Sequence, residues 1–175
     1  SQKSGVIFTH NPIAQDENIV IEAVFGLGEG IVSGTILPDH YLIDRSLKIL
    51  SKEIANKKIA IVRDSSGHTI KVKLTEERSK QQVLNDKEIK RLATYAIEIE
   101  NHYNKPQDIE FGIDNDIYIL QTRPITTLNK GSQDFTTLQE KKQQENIEGE
   151  IILSGIPASP GIASGPVKII HDLSH

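Results

Sequence analysis

KPQDIEFGIDNDIYILQTRPIT, Lys105 to Thr126, holds two strand-like runs around a short polar break. Side chains two apart share one face of a strand. Asp108 and Glu110 stand two apart on the first run, and Gln121 and Arg123 two apart on the second. With Asn115-Asp116 as a two-residue turn, where Asn suits positive φ, Glu110 falls opposite Gln121 and Asp108 opposite Arg123. One face of this hairpin then carries two carboxylates, an amide and a guanidinium. The other carries Ile109, Phe111, Tyr118, Leu120 and Thr122. Paired acids can hold a divalent metal through oxygen ligands, and a guanidinium can meet a phosphate through two hydrogen bonds. The face reads as the wall of a nucleotide site. The plainer alternative is a face turned to water, its opposite charges acting as ordinary cross-strand partners.

Working outward, the hairpin is fed by a helix expected over residues 86–103. Asn85 is the N-cap and Glu88, three residues on, completes a capping box. Ile89, Leu92, Ala93, Ala96 and Ile97 form an apolar stripe at helical spacing, Asn104 is a stop, and Pro106 forbids continuation. Upstream, strands are expected at 5–9 and 18–25, joined by a turn at Asn11-Pro12. A glycine-rich passage, GLGEGIVSG from Gly26 to Gly34, follows. It matches neither a P-loop nor G-x-G-x-x-G, and alone it reads as a turn or as a loop bearing a third acid, Glu29. Four β-rich runs come next, at 40–44, 47–53, 58–63 and 69–74, the last two joined by Ser65-Ser66-Gly67 as a hairpin. Thr75 to Leu84 is polar and ambiguous. After Thr126 the composition turns to Gln, Lys, Glu, Asn and Thr, as in a linker, and a new β pattern starts at Ile151.

The 175 residues, 37% hydrophobic, allow one domain with a core and an appendage. A net charge of −4 without a clustered basic face argues against nucleic acid; the most basic short stretches, Lys57-Lys58 and Lys71 to Lys73, are broken by apolar residues and look like strand flanks. No apolar run approaches a membrane span, and no signal peptide is visible, so a cytoplasmic location is expected. Cysteine is absent, which excludes disulfides and thiolate metal sites. Methionine is absent too, and the chain enters a strand almost at once, so it reads as part of something longer. Of the histidines, His171 and His175 are four apart, but no third ligand is near them.

SGVIFTHNP, IEAVFGLGEGIVSGTILPDHY, KPQDIEFGIDNDIYILQTRPIT and GIPASPGIASGPVKII stand in this order along the chain. In this order they resemble the phosphoenolpyruvate synthases, and in related form pyruvate phosphate dikinases and rifampicin phosphotransferases. The resemblance implies an α+β fold. Residues 1–126 would be the C-terminal part of an ATP-grasp nucleotide-binding domain, an antiparallel sheet with one long helix. Residues 127–150 would be a linker, and 151–175 the first strand of a phosphohistidine swivelling domain. It implies ATP and Mg²⁺ as cofactors. Glu110 and Gln121 resemble the family's metal- and phosphate-side residues, Arg123 its catalytic phosphate-contacting arginine, and Asp108 and Glu29 acidic residues lining the same cleft. Partners would be ATP, pyruvate or phosphoenolpyruvate through a parent enzyme, together with the remaining domains of that chain, and a homo-oligomeric parent is a further expectation.

Departures limit what this chain does alone. The K-G-x-N-L-G and V-R-S-S motifs of the first ATP-grasp half are missing, as is the G-G-x-x-[CS]-H context of the phosphorylated histidine. The chain is therefore expected not to phosphorylate itself. A dikinase relative acting on another acceptor, and a nucleotide-binding or regulatory module without chemistry, stay open as alternatives.

Overall fold

The computed structural model describes residues 2–125. The expected linker and the expected strand of a second domain lie outside the described residues. Six strands form one antiparallel sheet: β1 Lys3–Phe8, β2 Ile19–Phe25, β3 Asp39–Ile43, β4 Ile49–Glu53, β7 Gln107–Ile113 and β8 Ile117–Pro124. Their order across the sheet is β4-β3-β2-β1-β7-β8. β5 Ile59–Arg63 and β6 Thr69–Lys73 make a separate hairpin, attached by a parallel bridge between Gly26 and Ile61. The expected α+β arrangement of an antiparallel sheet with one long helix is what is found.

That helix, α3 Asp86–Tyr103, begins as the sequence predicts. Asn85 accepts from the Glu88 N–H while Glu88 accepts from the Asn85 N–H, and Asn104 ends it in a left-handed conformation. Ile89, Leu92, Ala93 and Ala96 are fully buried, with Ile97 partly so. They meet Ile7, Ile21, Tyr41, Ile109 and Phe111, which all project from one face of the sheet. Each large side chain so buried stabilises the fold by about 1.5–3 kcal/mol. Lys3 of β1 pairs with Glu88 at 2.7 Å, and Arg91 with Asp116 at 2.9 Å, tying the helix to the sheet and to the β7–β8 turn.

α3 covers one face of the sheet; among the described residues no helix of that length lies against the other face, where the glycine-rich passage packs by Val24. Two short helical turns were not expected: α1 Glu29–Val32, inside the glycine-rich passage, and α2 Glu76–Ser79, inside the ambiguous polar stretch and capped by Thr75. A small second core of Val24, Ile36 and Ile61, with Leu27, Ile31 and Ile59, packs the glycine-rich passage and β5 together. Gly26 makes this approach feasible. Its φ is +83°, and a Cβ there would overlap the Ile61 carbonyl.

Lys57 and Lys58 read as strand flanks in the sequence, but Lys57 is fully buried and paired with Asp39, also fully buried. The Asp39 carboxylate also accepts from Tyr41 Oη at 3.0 Å, Ala55 N at 3.0 Å and Val83 N at 2.8 Å. Tyr41 Oη in turn accepts from Leu84 N at 3.1 Å. Burial drives the Tyr41 phenol well above its ordinary range. One acid thereby ties together three segments of the chain, β3, residues 55–57 and residues 83–84.

Candidate functional site

Alternation of side chains along each strand decides what the face opposite α3 carries. Ile7, Ile21, Tyr41 and Ile109 go to the helix, so Val6, Phe8, Val20, Glu22, His40, Leu42, Asp108 and Glu110 go to the other side. The register aligns these into two rows. One runs Glu53, His40, Glu22, Val6, Glu110, Gln121, and the next Ser51, Leu42, Val20, Phe8, Asp108, Arg123. Glu110 is thus opposite Gln121 and Asp108 opposite Arg123, as the sequence predicts.

The route to that register differs from the expectation. Ile113 pairs with Ile117, so the turn has three residues, Asp114 to Asp116, closed by Asp114 N–H donating to the Asp116 carbonyl. The extra turn residue shifts the pairing by one, and Tyr118, expected on the helix side, lies opposite Gly112 on the polar side. A bulge between Phe111 and Glu110 takes up Leu120 and restores the register before Gln121. Leu120 also leaves its expected face and is largely exposed at the rim of the polar one.

Asp108 and Arg123 do more than face each other. Arg123 donates from Nε at 2.9 Å to Oδ2 of Asp108, and its Nη2 lies 2.8 Å from the same oxygen as an ion pair. That bond raises the guanidinium's already high pKa, with smaller help from Glu110. Gln107 locks the neighbouring register: it accepts from Thr122 Oγ1 at 2.8 Å, and its N–H donates to Thr9 Oγ1 at 2.8 Å. Beside Glu110 lies an open recess of about 350 Å³, lined by Val6, Leu27, Gly28, Glu29 and Leu120 among others. Glu29, first residue of α1, is exposed there, so the fold brings Glu29 and Glu110 to one hollow. Gln121, Asp108 and Arg123 sit beside it and do not line it.

Glu22 and His40 belong to the same face and were not singled out from the sequence. Burial raises the Glu22 carboxyl above its ordinary value; His40 opposes this and Asp108 adds to it. His40 Nδ1 is buried without a hydrogen-bond partner among the described residues. The signal was present: a lone acid inside IVIEAVF, a run otherwise fit for complete burial.

What can the face do? Carboxylate and amide oxygens from Glu110 and Gln121 suit a hard cation that retains several other oxygen ligands. Arg123 suits phosphate. Among the described residues no three His, Asp or Glu side chains converge as a metal cage. A cation here would need oxygens from its own ligand, which is how Mg²⁺ is commonly held beside nucleotide phosphates.

Comparison with known proteins finds a nucleotide-binding family. Residues 1–145 match the family described as pyruvate phosphate dikinase, AMP/ATP-binding domain. A probable phosphoenolpyruvate synthase of Methanocaldococcus jannaschii is 48% identical over 99% of this chain and 14% of its own length. One from Archaeoglobus fulgidus is 48% identical over 97% of this chain and 22% of its own. The phosphoenolpyruvate synthase of Pyrococcus furiosus is 43% identical over 99% and 22%. The chain thus spans between about a seventh and a quarter of the length of these relatives. No helix among the described residues is long and apolar enough to cross a membrane. With the match covering most of its length, the chain belongs to the pyruvate phosphate dikinase AMP/ATP-binding domain family.

Proposed function

We propose that this chain is part of a phosphoenolpyruvate synthase and forms one wall of its Mg·ATP site. The observation that carries the reading is the β7–β8 register, which sets Glu110 against Gln121 and Asp108 against Arg123 on the face opposite α3. In this reading residues 1–126 are the C-terminal subdomain of an ATP-grasp domain, 127–150 a linker, and 151–175 the opening of a phosphohistidine domain, in a cytoplasmic enzyme. Glu110 and Gln121 hold Mg²⁺, which supplies charge neutralisation on the phosphates when bound. Arg123 contacts the phosphoryl group and takes up charge as it transfers, while Glu29 and Asp108 shape the cleft. Phosphoryl transfer demands positioning and charge neutralisation more than covalent chemistry from the protein, and this set of side chains supplies both.

The overall reaction would convert ATP, pyruvate and water to AMP, phosphoenolpyruvate and phosphate by way of a phosphohistidine outside this chain. The identities to phosphoenolpyruvate synthases support pyruvate as acceptor. The test is AMP release by the complete enzyme. Release that requires pyruvate supports the proposal; release that ignores pyruvate and requires another acceptor refutes it.

A further inference from the structure

We propose that Asp108 is a positioning residue for Arg123 and not itself a ligand of the nucleotide or its cation. This deepens the reading of the face as a nucleotide site and rests on it. The side chains on the face divide into committed and uncommitted. Glu110 and Gln121 make no side-chain hydrogen bond among the described residues, as groups waiting for a ligand should. Asp108 is committed: its Oδ2 accepts from Nε of Arg123 and holds Nη2 at ion-pair distance.

Burial gives the pair a direction. The Asp108 side chain is 14% exposed and that of Arg123 is 67% exposed. The acid is the sunken member, on a strand paired on both sides with β1 and β8. The guanidinium is the reaching member, on the edge strand β8, between Thr122 and Pro124. A long side chain on an exposed edge would otherwise sample many rotamers and lose that freedom on binding. Holding it beforehand removes the loss, which is the general advantage of preorganisation.

The donor inventory fits the same role. A guanidinium has five N–H groups in a fixed fork. Asp108 occupies the one on Nε and lies beside Nη2, leaving those at the outer end, on Nη1 and Nη2, for phosphate oxygens. The hydrogen bond and the close Nη2 contact end on one oxygen of Asp108. A neutral amide oxygen can accept that hydrogen bond too, so positioning does not require the negative charge, whereas cation ligation does.

That difference is the test. The complete polypeptide carrying this domain is titrated with Mg·ATP, and separately with Mg²⁺ at fixed ATP, for Asp108→Ala, Asp108→Asn and Arg123→Lys, and for Asp108→Ala in the Arg123→Lys background. Supporting partners of binding groups typically contribute about 10- to 100-fold in affinity. Expected are an Asp108→Ala loss of about tenfold, substantial rescue by Asn, an unchanged Mg²⁺ requirement, and no added loss from Asp108→Ala once Arg123 is Lys. The proposal is overturned if Asn is as damaging as Ala and the Mg²⁺ requirement rises, or if the Asp108→Ala loss persists in full in the Lys background. Glu110→Gln separates this from failure of the underlying reading. If Glu110→Gln and Arg123→Lys both leave Mg·ATP binding untouched, the face is not a nucleotide site and the positioning role falls with it.

Discussion

Replacing Asp39 by Ala should unfold this domain or nearly so, although Asp39 lies outside the proposed site. Asp39 and Lys57 are both fully buried, and the same carboxylate accepts from Tyr41, Ala55 and Val83. Removing it strands the Lys57 ammonium with only the Ala55 carbonyl, at 2.9 Å, as hydrogen-bond partner. Breaking a buried pair from one side costs about 3–5 kcal/mol. Each backbone N–H left without its acceptor, at Ala55 and at Val83, costs about 1–3 kcal/mol more. The lower ends together reach about 5 kcal/mol, comparable with the whole stability of a modest domain. Lys57→Met should be milder, near the lower end of the charge cost, because the carboxylate keeps three donors. Combining it with Asp39→Ala should recover about 2 kcal/mol or more relative to Asp39→Ala alone, since no charge is then stranded. Urea unfolding followed by far-ultraviolet circular dichroism measures all three. An Asp39→Ala protein within 1 kcal/mol of the parent, on the order of a single ordinary hydrogen bond, would refute the reasoning, as would a double variant no better than Asp39→Ala.

Three smaller effects follow from other contacts. Gly26→Ala should lower the denaturation midpoint markedly, because its φ of +83° and the adjacent Ile61 carbonyl leave no room for a methyl group, whereas Gly67→Ala, with φ +84° but open space around it, should do so less; paired melts compare them. Asn85→Ala removes the side-chain half of the α3 capping box, keeping the backbone N–H that Glu88 accepts from, and should cost about 1 kcal/mol in the same assay. Glu22→Gln should alter the pH dependence of stability. The Glu22 carboxyl titrates above its unfolded value, so the native state holds the proton longer, and stability falls as pH rises from the ordinary glutamate value through the raised one. Gln abolishes that fall, leaving the variant at least as stable as the parent at pH 7, and melts across pH 4 to 8 read the difference.

Much of this was legible because two periodicities carried it. The stripe Ile89, Leu92, Ala93, Ala96 marked the one long helix, and Asn85 with Glu88 fixed its start. The two-residue spacing of Asp108 with Glu110, and of Gln121 with Arg123, put four polar groups on one face, and the conclusion survived an error in the turn. Turn length and bulge compensated, since the apolar residues Ile109 and Phe111 had to stay on α3 whatever the loop did. Tyr118 and Leu120 fell between turn and bulge, where alternation is locally broken, so their faces could not be read. Lys57 does flank β5, but its burial was not legible because its partner Asp39 is eighteen positions away in sequence and only the fold brings them together. Glu22 was passed over because an acid in a buried run signals a site only once the neighbouring strands are known to present His40 and Asp108 on the same face.

The central claim is that the β7–β8 face binds Mg·ATP. Its most direct test is calorimetric titration of Mg·ATP into the complete polypeptide carrying this domain, comparing the parent with Arg123→Ala and Glu110→Ala, with circular dichroism as the check on folding. The account predicts weakening by about a hundredfold or more for each, the scale of losing a charge-assisted phosphate or cation contact, with native spectra preserved. Unchanged affinity in both folded variants would contradict it and leave the face as a solvated surface.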